Sequence, residues 1–145
     1  MKYKLTFLLD ESNIWIEKYL KIRDFSFNRK FKVNISKNYL KIKDQDIVII
    51  LGYTKILKEQ FLNKNTLNIV VHASKLPKNK GFSPIAYEIL KNKNNFFISL
   101  LKVSEKVDSG PIAFKDKFVL NGTELSDEIR AKQAFYTIKI IKKFL

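Results

Sequence analysis

The sequence predicts a layered α/β fold on a mostly parallel open sheet, and three observations predict it. Strand-sized apolar runs alternate with helix-sized amphipathic segments along the chain. One run, Ile47-Val48-Ile49-Ile50-Leu51, is too apolar to have a wet face, as expected of a central parallel strand covered on both sides. No apolar run approaches the roughly 20 residues that span a bilayer, so these are core segments.

Taken in order, Lys4 to Leu9 reads as a buried first strand, with Asp10 and Ser12 placed to cap a helix over Ile14 to Leu20. Lys21 to Lys43 is expected to be mostly irregular around one short alternating strand, Phe31-Lys32-Val33-Asn34-Ile35. Asp46 to Leu51 is the central strand, ended by Gly52. Lys55 to Leu62 reads as a short helix and Asn68 to Val71 as the next buried strand, with His72 at its carboxyl end, the edge where ligands bind in open parallel sheets. Pro84 suits the first position of a helix running to about Asn92, since its missing N–H has no partner there anyway, and Ser83 is the expected cap. Asn95 to Val103 and Ile112 to Leu120 read as two further strands. Thr123 would cap a last helix with Asp127 and Glu128 in its first turn and Lys139, Lys142 and Lys143 towards its end, matching the helix dipole. Leu125, Ile129, Ile138 and Ile141 would form its apolar face.

The bulk numbers remove several function classes. At 145 residues the chain has the size of one domain. It has no cysteine and one histidine, which leaves neither a disulfide framework nor a thiolate zinc site, and no metal is expected. Met1-Lys2-Tyr3-Lys4 leads straight into a strand-like run and not into a secretory signal, so a cytoplasmic location is expected, without a membrane partner. The net charge of +14 could serve a polyanionic partner. Lysine outnumbers arginine 25 to 3, however, and the lysines are spread along the chain. That pattern suits a general compositional bias better than a nucleic-acid face, which favours the guanidinium fork. The local set Lys75, Lys78 and Lys80 is the exception and could meet substrate phosphates. With glycines only at 52, 81, 110 and 122, no dinucleotide-binding or Walker-type glycine loop can be written. Ser83 is not a nucleophile-elbow serine, because the glycine required two residues later is Ile85.

Three motifs remain: Val71-His72-Ala73-Ser74-Lys75-Leu76-Pro77, Lys80-Gly81-Phe82-Ser83-Pro84-Ile85 and Val107-Asp108-Ser109-Gly110-Pro111-Ile112. In this order and spacing they resemble the catalytic domain of the folate-dependent formyltransferases, the family of methionyl-tRNA, glycinamide ribonucleotide and sugar N-formyltransferases. The likeness extends over Asp46 to Leu57 and over Gly122 to Gln133. It implies a three-layer Rossmann-like open sheet of the formyltransferase type, as a single catalytic domain over residues 1–145. That domain would be shortened in its N-terminal third and carry no C-terminal domain.

By this resemblance 10-formyltetrahydrofolate is the formyl donor and a primary amine the acceptor. The amine must lose a proton, the carbonyl oxygen must be stabilised as it becomes negative, and both reactants must be held in line. The resemblance assigns His72 to the oxyanion or the proton and Asp108 to a place beside it, favouring the imidazolium and orienting a water. It seats the folate against Tyr53, Ile56, Leu57, Leu76, Pro77 and Val107, with Lys75, Lys78, Lys80 and Ser83 towards the other substrate. One position departs from the pattern. The family has an asparagine two residues before the histidine, and here that position is Val70; Asn68, on the same strand face, is the candidate replacement amide. The expected acceptor is a nucleotide-linked amino sugar, a small phosphate-bearing amine, with a homodimer left open. The alternatives are methionyl-tRNA or glycinamide ribonucleotide as acceptor, the tRNA being disfavoured by the absence of a further domain. A binding protein that keeps the fold and has lost turnover, and a nonspecific nucleic-acid binder, are the readings from other classes.

Overall fold

Among the described residues the chain forms six strands and three α-helices, the strands lying where the apolar runs predict. The computed structural model describes residues 1–26 and 30–145. The strands are β1 (Tyr3–Leu9), β2 (Phe31–Ser36), β3 (Ile47–Leu51), β4 (Leu67–His72), β5 (Asn95–Lys102) and β6 (Ile112–Val119), in the sheet order β2-β1-β3-β4-β5-β6. The helices are α1 (Glu59–Leu62), α2 (Pro84–Leu90) and α3 (Ser126–Phe144). No described helix is long and apolar enough to cross a membrane. The contacts divide the chain into two compact units, Met1–Val70 and Val71–Leu145.

In the first unit β1 pairs in parallel with β2 on one side and β3 on the other. The central position explains the composition of β1 and β3: Leu5, Phe7, Leu8, Val48 and Ile49 are all fully buried, so both faces of these strands must be apolar. Phe25 stacks at a tilt on Phe7, centroids 4.8 Å apart, closing this core from the connection. Of the segment between Lys21 and Lys43, β2 forms where the alternating run predicts; residues 27–29 lie outside the described part.

Three local expectations in this unit are corrected. Asp10 and Ser12 do not cap a helix. Asp10 Oδ1 accepts from Ser12 N (2.9 Å) and from the Ser12 hydroxyl, while Oδ2 accepts from Thr54 N (2.9 Å) and the Thr54 hydroxyl. Asp10 therefore ties the turn after β1 to the turn after β3. The following segment is a 3-10 helix, Ile14–Tyr19, with Asn13 at its N-cap making no side-chain bond. The helix expected over Lys55 to Leu62 is only Glu59–Leu62 long, with Phe61 as its buried residue.

In the second unit β5 and β6 form an antiparallel hairpin with a register shift between Leu100 and Leu101. Helix α3 packs against this pair. Its buried residues Ala134, Thr137, Ile140 and Ile141 follow helical spacing, so the apolar face is the expected one only at Ile141, which is fully buried. Ala134 and Ile140 complete it, Ile129 and Ile138 are only half-buried, and Leu125 is 73% exposed. Thr123 is not the cap either. Its hydroxyl donates to Asn121 Oδ1 (2.7 Å), and the helix begins beyond Leu125, whose N–H is taken by Glu128 Oε2 at 2.7 Å. Glu124 collars the preceding turn. Desolvation raises its carboxyl, but bonds from the backbone N–H of Asn121 and from Lys132 outweigh this and hold it at about 2.

Candidate active site

The only histidine stands at the last residue of β4, and the chain beyond it is bent into a loop held by side chains from β5 and β6. Ser99, a lone polar residue inside the apolar run of β5, donates to the carbonyl of Ser74 at 2.7 Å, and Ser74 Oγ donates to the carbonyl of Lys78 at 3.0 Å. Lys115, from β6, donates through Nζ to the carbonyl of Leu76 at 2.8 Å. Leu76 itself is buried to 1% exposure, a burial worth about 1.5–3 kcal/mol. The Leu76–Pro77 peptide is cis. With its carbonyls taken and its leucine anchored, this loop has few ways to move.

The second arm is the loop of the β5–β6 hairpin. Gly110 makes it feasible: a Cβ there would collide with the backbone carbonyl oxygen of Lys102. Ser109 N donates to the carbonyl of Lys106 (3.3 Å) and Ser109 Oγ to that of Val107 (3.0 Å). These turns leave Asp108 at φ 50°, a left-handed conformation that Asp tolerates better than most residues.

The two arms meet at the histidine. His72 Nε2 lies 3.6 Å from Asp108 Oδ2 and 2.8 Å from the backbone carbonyl oxygen of Asn79. The same Asp108 oxygen accepts the backbone N–H of Gly81 at 2.9 Å, and Lys80 Nζ donates to Ser109 Oγ at 2.8 Å. The imidazole and carboxylate side chains are only 11% and 10% exposed. Their interaction is less screened than that of a surface pair, which is worth about 0–1 kcal/mol. Asn79, Ser83 and Asp108 all have positive φ near this point. Such conformations persist where the surroundings over-determine them, as functional sites do.

The remaining expected site residues are placed as follows. Lys75 holds its ammonium 5.0 Å from the centre of the Phe97 ring, and Lys78 and Pro77 are exposed. Ser83 precedes α2 in the left-handed region without a side-chain cap bond, so the capping expected of it is corrected: at φ 53° it lacks the extended backbone a capping residue normally adopts. Val107 is 49% exposed. In the first unit Ile56 is 73% exposed and Leu57 is buried. Tyr53 is half-buried; burial first and the Asp10 charge second push its hydroxyl pKa upward. Asn68 is 6% exposed; its Nδ2 donates to the carbonyl of Leu62 at 2.9 Å and its Oδ1 is buried without a hydrogen-bond partner among the described residues. Val70 is half-buried. The motifs did not point to Asn79, Glu88, Ser99 or Lys115. Of these, only Ser99 carried a signal, as an isolated hydroxyl in an apolar strand.

This arrangement sets an imidazole beside a carboxylate that a backbone N–H keeps in place. Comparison with known proteins then supplies the family. The model described as Formyl transferase matches residues 7–144. A methionyl-tRNA formyltransferase of Pelagibacter ubique is 35% identical over 97 residues, covering 65% of this chain and 31% of that protein. The chain spans about a third of the length of such curated relatives. Among solved structures, a methionyl-tRNA formyltransferase from Clostridium thermocellum superposes with a TM-score of 0.75 at 22% identity, covering 97% of this chain and 63% of that one. WlaRD, a sugar 3N-formyl transferase solved with dTDP and 5-N-formyl-THF, gives 0.70 at 17% identity, covering 99% and 61%. These likenesses bear out the mostly parallel six-stranded Rossmann-like fold, and with a family match over residues 7–144 this chain belongs to the formyl transferase family.

Proposed function

We propose that the chain transfers a formyl group from 10-formyltetrahydrofolate to a primary amine, with His72 and Asp108 as the catalytic residues. The observation that carries this reading is the 3.6 Å approach of two groups 36 residues apart in the chain, both nearly withdrawn from water. When bound, the folate supplies an activated formyl carbonyl; the chain supplies the rest. His72 takes up or delivers the proton that the amine loses, the service an imidazole performs best near neutrality. Asp108 faces the imidazole at 3.6 Å and keeps its orientation because Gly81 N–H holds the carboxylate. The residues beside the pair fit a donor with an apolar ring system: exposed Val107 and Phe82 stand on the two loops that converge there. Asn68 is a weaker candidate for an amide donor, since its amino group is engaged by Leu62.

The acceptor we infer is a nucleotide-linked amino sugar. Lys80, beside the Asp108 loop, is an available cation for its phosphates, and the fold neighbour WlaRD is a sugar 3N-formyl transferase. Methionyl-tRNA is the second reading, favoured by the 35% identity to a methionyl-tRNA formyltransferase. The test incubates the protein with 10-formyltetrahydrofolate and amino sugar nucleotides, glycinamide ribonucleotide or initiator methionyl-tRNA, and follows release of tetrahydrofolate. Wild-type turnover that drops by about 10²–10⁴ in His72→Ala and in Asp108→Ala supports the proposal. Equal background in all three proteins ends it, and folate binding without turnover would make this a binding protein, as Val70 in place of the amide would allow.

A further inference from the structure

The carbonyl that meets His72 belongs to a residue in a left-handed turn. Asn79 sits at φ 55°, a conformation Asn tolerates better than most residues, and a side-chain contact fixes it there. The holding contact is its side-chain amide, which donates to Glu88 Oε1 at 2.6 Å. Glu88 projects from α2 with its side chain 13% exposed; Lys93 Nζ meets Oε2 at 2.7 Å and Lys91 Nζ lies 3.8 Å from Oε1. The bond from Lys93 holds the Glu88 carboxyl below the usual range. A largely buried carboxylate thus fixes Asn79, and Asn79 presents its carbonyl to the imidazole.

We propose that Glu88 and Asn79 are positioning residues that lock His72 in its Nε2–H tautomer and leave Nδ1 as the nitrogen that exchanges a proton with the substrate. A neutral imidazole has one N–H donor and one acceptor nitrogen, and the hydrogen bond made at one nitrogen decides what the other can do. Nε2 faces two acceptors, the Asn79 carbonyl at 2.8 Å and Asp108 Oδ2 at 3.6 Å. Neither can donate to a ring lone pair, so the Nδ1–H form would set three electron-rich atoms against one another. Asp108 adds to the preference, but the Asn79 carbonyl is the shorter contact, and Glu88 keeps it in place. The inference rests on the reading of His72 as the proton-handling group.

The chain has a single histidine, so a ¹⁵N-imidazole NMR spectrum contains one pair of ring signals and needs no assignment by mutation. At alkaline pH, with the ring neutral, the wild type is expected to carry its proton on Nε2. In Glu88→Ala the signals should move towards a mixture of tautomers, with kcat reduced by roughly 10- to 100-fold and KM held within about twofold. Glu88→Gln, whose amide oxygen still accepts from Asn79, should restore the wild-type spectrum, a rescue that a purely structural ion pair with Lys93 would not show. Asn79→Gly accepts the left-handed backbone and keeps the carbonyl but loses the link to Glu88. It should behave like Glu88→Ala and covers the case in which that variant fails to fold. A wild-type ring protonated on Nδ1, or wild-type signals in both Glu88→Ala and Asn79→Gly, would overturn the inference. Turnover that persists in His72→Ala would instead overturn the catalytic reading of His72, whatever the tautomer.

Discussion

The backbone N–H of Gly81 donates to Asp108 Oδ2 at 2.9 Å, and through this one bond the loop after β4 and the β5–β6 hairpin fix the carboxylate that faces His72. Gly81 lies at φ 93° with nothing within 4 Å of where a Cβ would stand. Gly81→Ala therefore meets no clash, and its cost is conformational alone, about 1–2 kcal/mol. Urea denaturation should show that loss. Formyl transfer should fall as well, because relieving the strain shifts the backbone at the residue whose N–H holds Asp108. Unchanged stability with unchanged turnover would mean that the loop holds Asp108 by other means.

Gly110 is required for the opposite reason. Its backbone angle is ordinary for any residue, but a Cβ would overlap the carbonyl oxygen of Lys102, which cannot swing aside as a side chain could. Gly110→Ala should cost about 1–3 kcal/mol or more through overpacking. Since the loop carrying Asp108 must shift to make room, chemical-shift changes should spread from residue 110 to His72. Changes confined to the immediate neighbours of residue 110 would contradict this.

Leu76→Ala and Lys115→Met probe the loop after His72 from its two sides. The first removes a fully buried side chain and should cost about 2–5 kcal/mol. The second loses the bond to the Leu76 carbonyl and should cost about 1–2 kcal/mol. Both act on one residue's position, so the double variant should be less destabilised than the sum. Strict additivity in denaturant midpoints would show that the lysine contact and the leucine anchor are independent.

Acid should weaken the first unit through Asp10. Hydrogen bonds from the side chains of Ser12 and Thr54 hold its carboxyl well below the usual carboxylate range, against the opposing effect of burial. An unfolded aspartate titrates near about 3.9, so below that pH the unfolded chain binds a proton that the folded one refuses. The contribution is thus fully present at neutral pH and is lost as the pH falls below about 4. Asp10→Asn should lower stability at pH 7 by about 2–3 kcal/mol and flatten the acid limb of a stability-against-pH curve. A variant whose acid limb matches the wild type would assign that limb to other carboxylates.

The sequence by itself determined the strands, because burial on both faces demands continuous apolar runs such as Ile47 to Leu51, and this demand is local. It also placed Pro84 at a helix start, and it carried the motifs by which the family could be recognised. The helix caps escaped it, although the start of α2 at Pro84 did not. Asp10 looks like a cap for the next helix, yet its carboxylate reaches Thr54, 44 residues away, and a short polar side chain takes whichever donor the fold brings nearest. The partners of the imidazole were hidden for the same reason. Resemblance alone pointed to Asp108, and no pattern pointed to Asn79 or Glu88, since a backbone carbonyl has no residue type to read and a glutamate facing lysines is ordinary on any helix. Only the tertiary structure, by folding a hairpin loop and a left-handed turn onto the end of β4, decided which acceptors surround His72. Which chemistry is present follows from residue type, whereas where its proton sits follows from distances of about 3 Å that the chain sets only once it is folded.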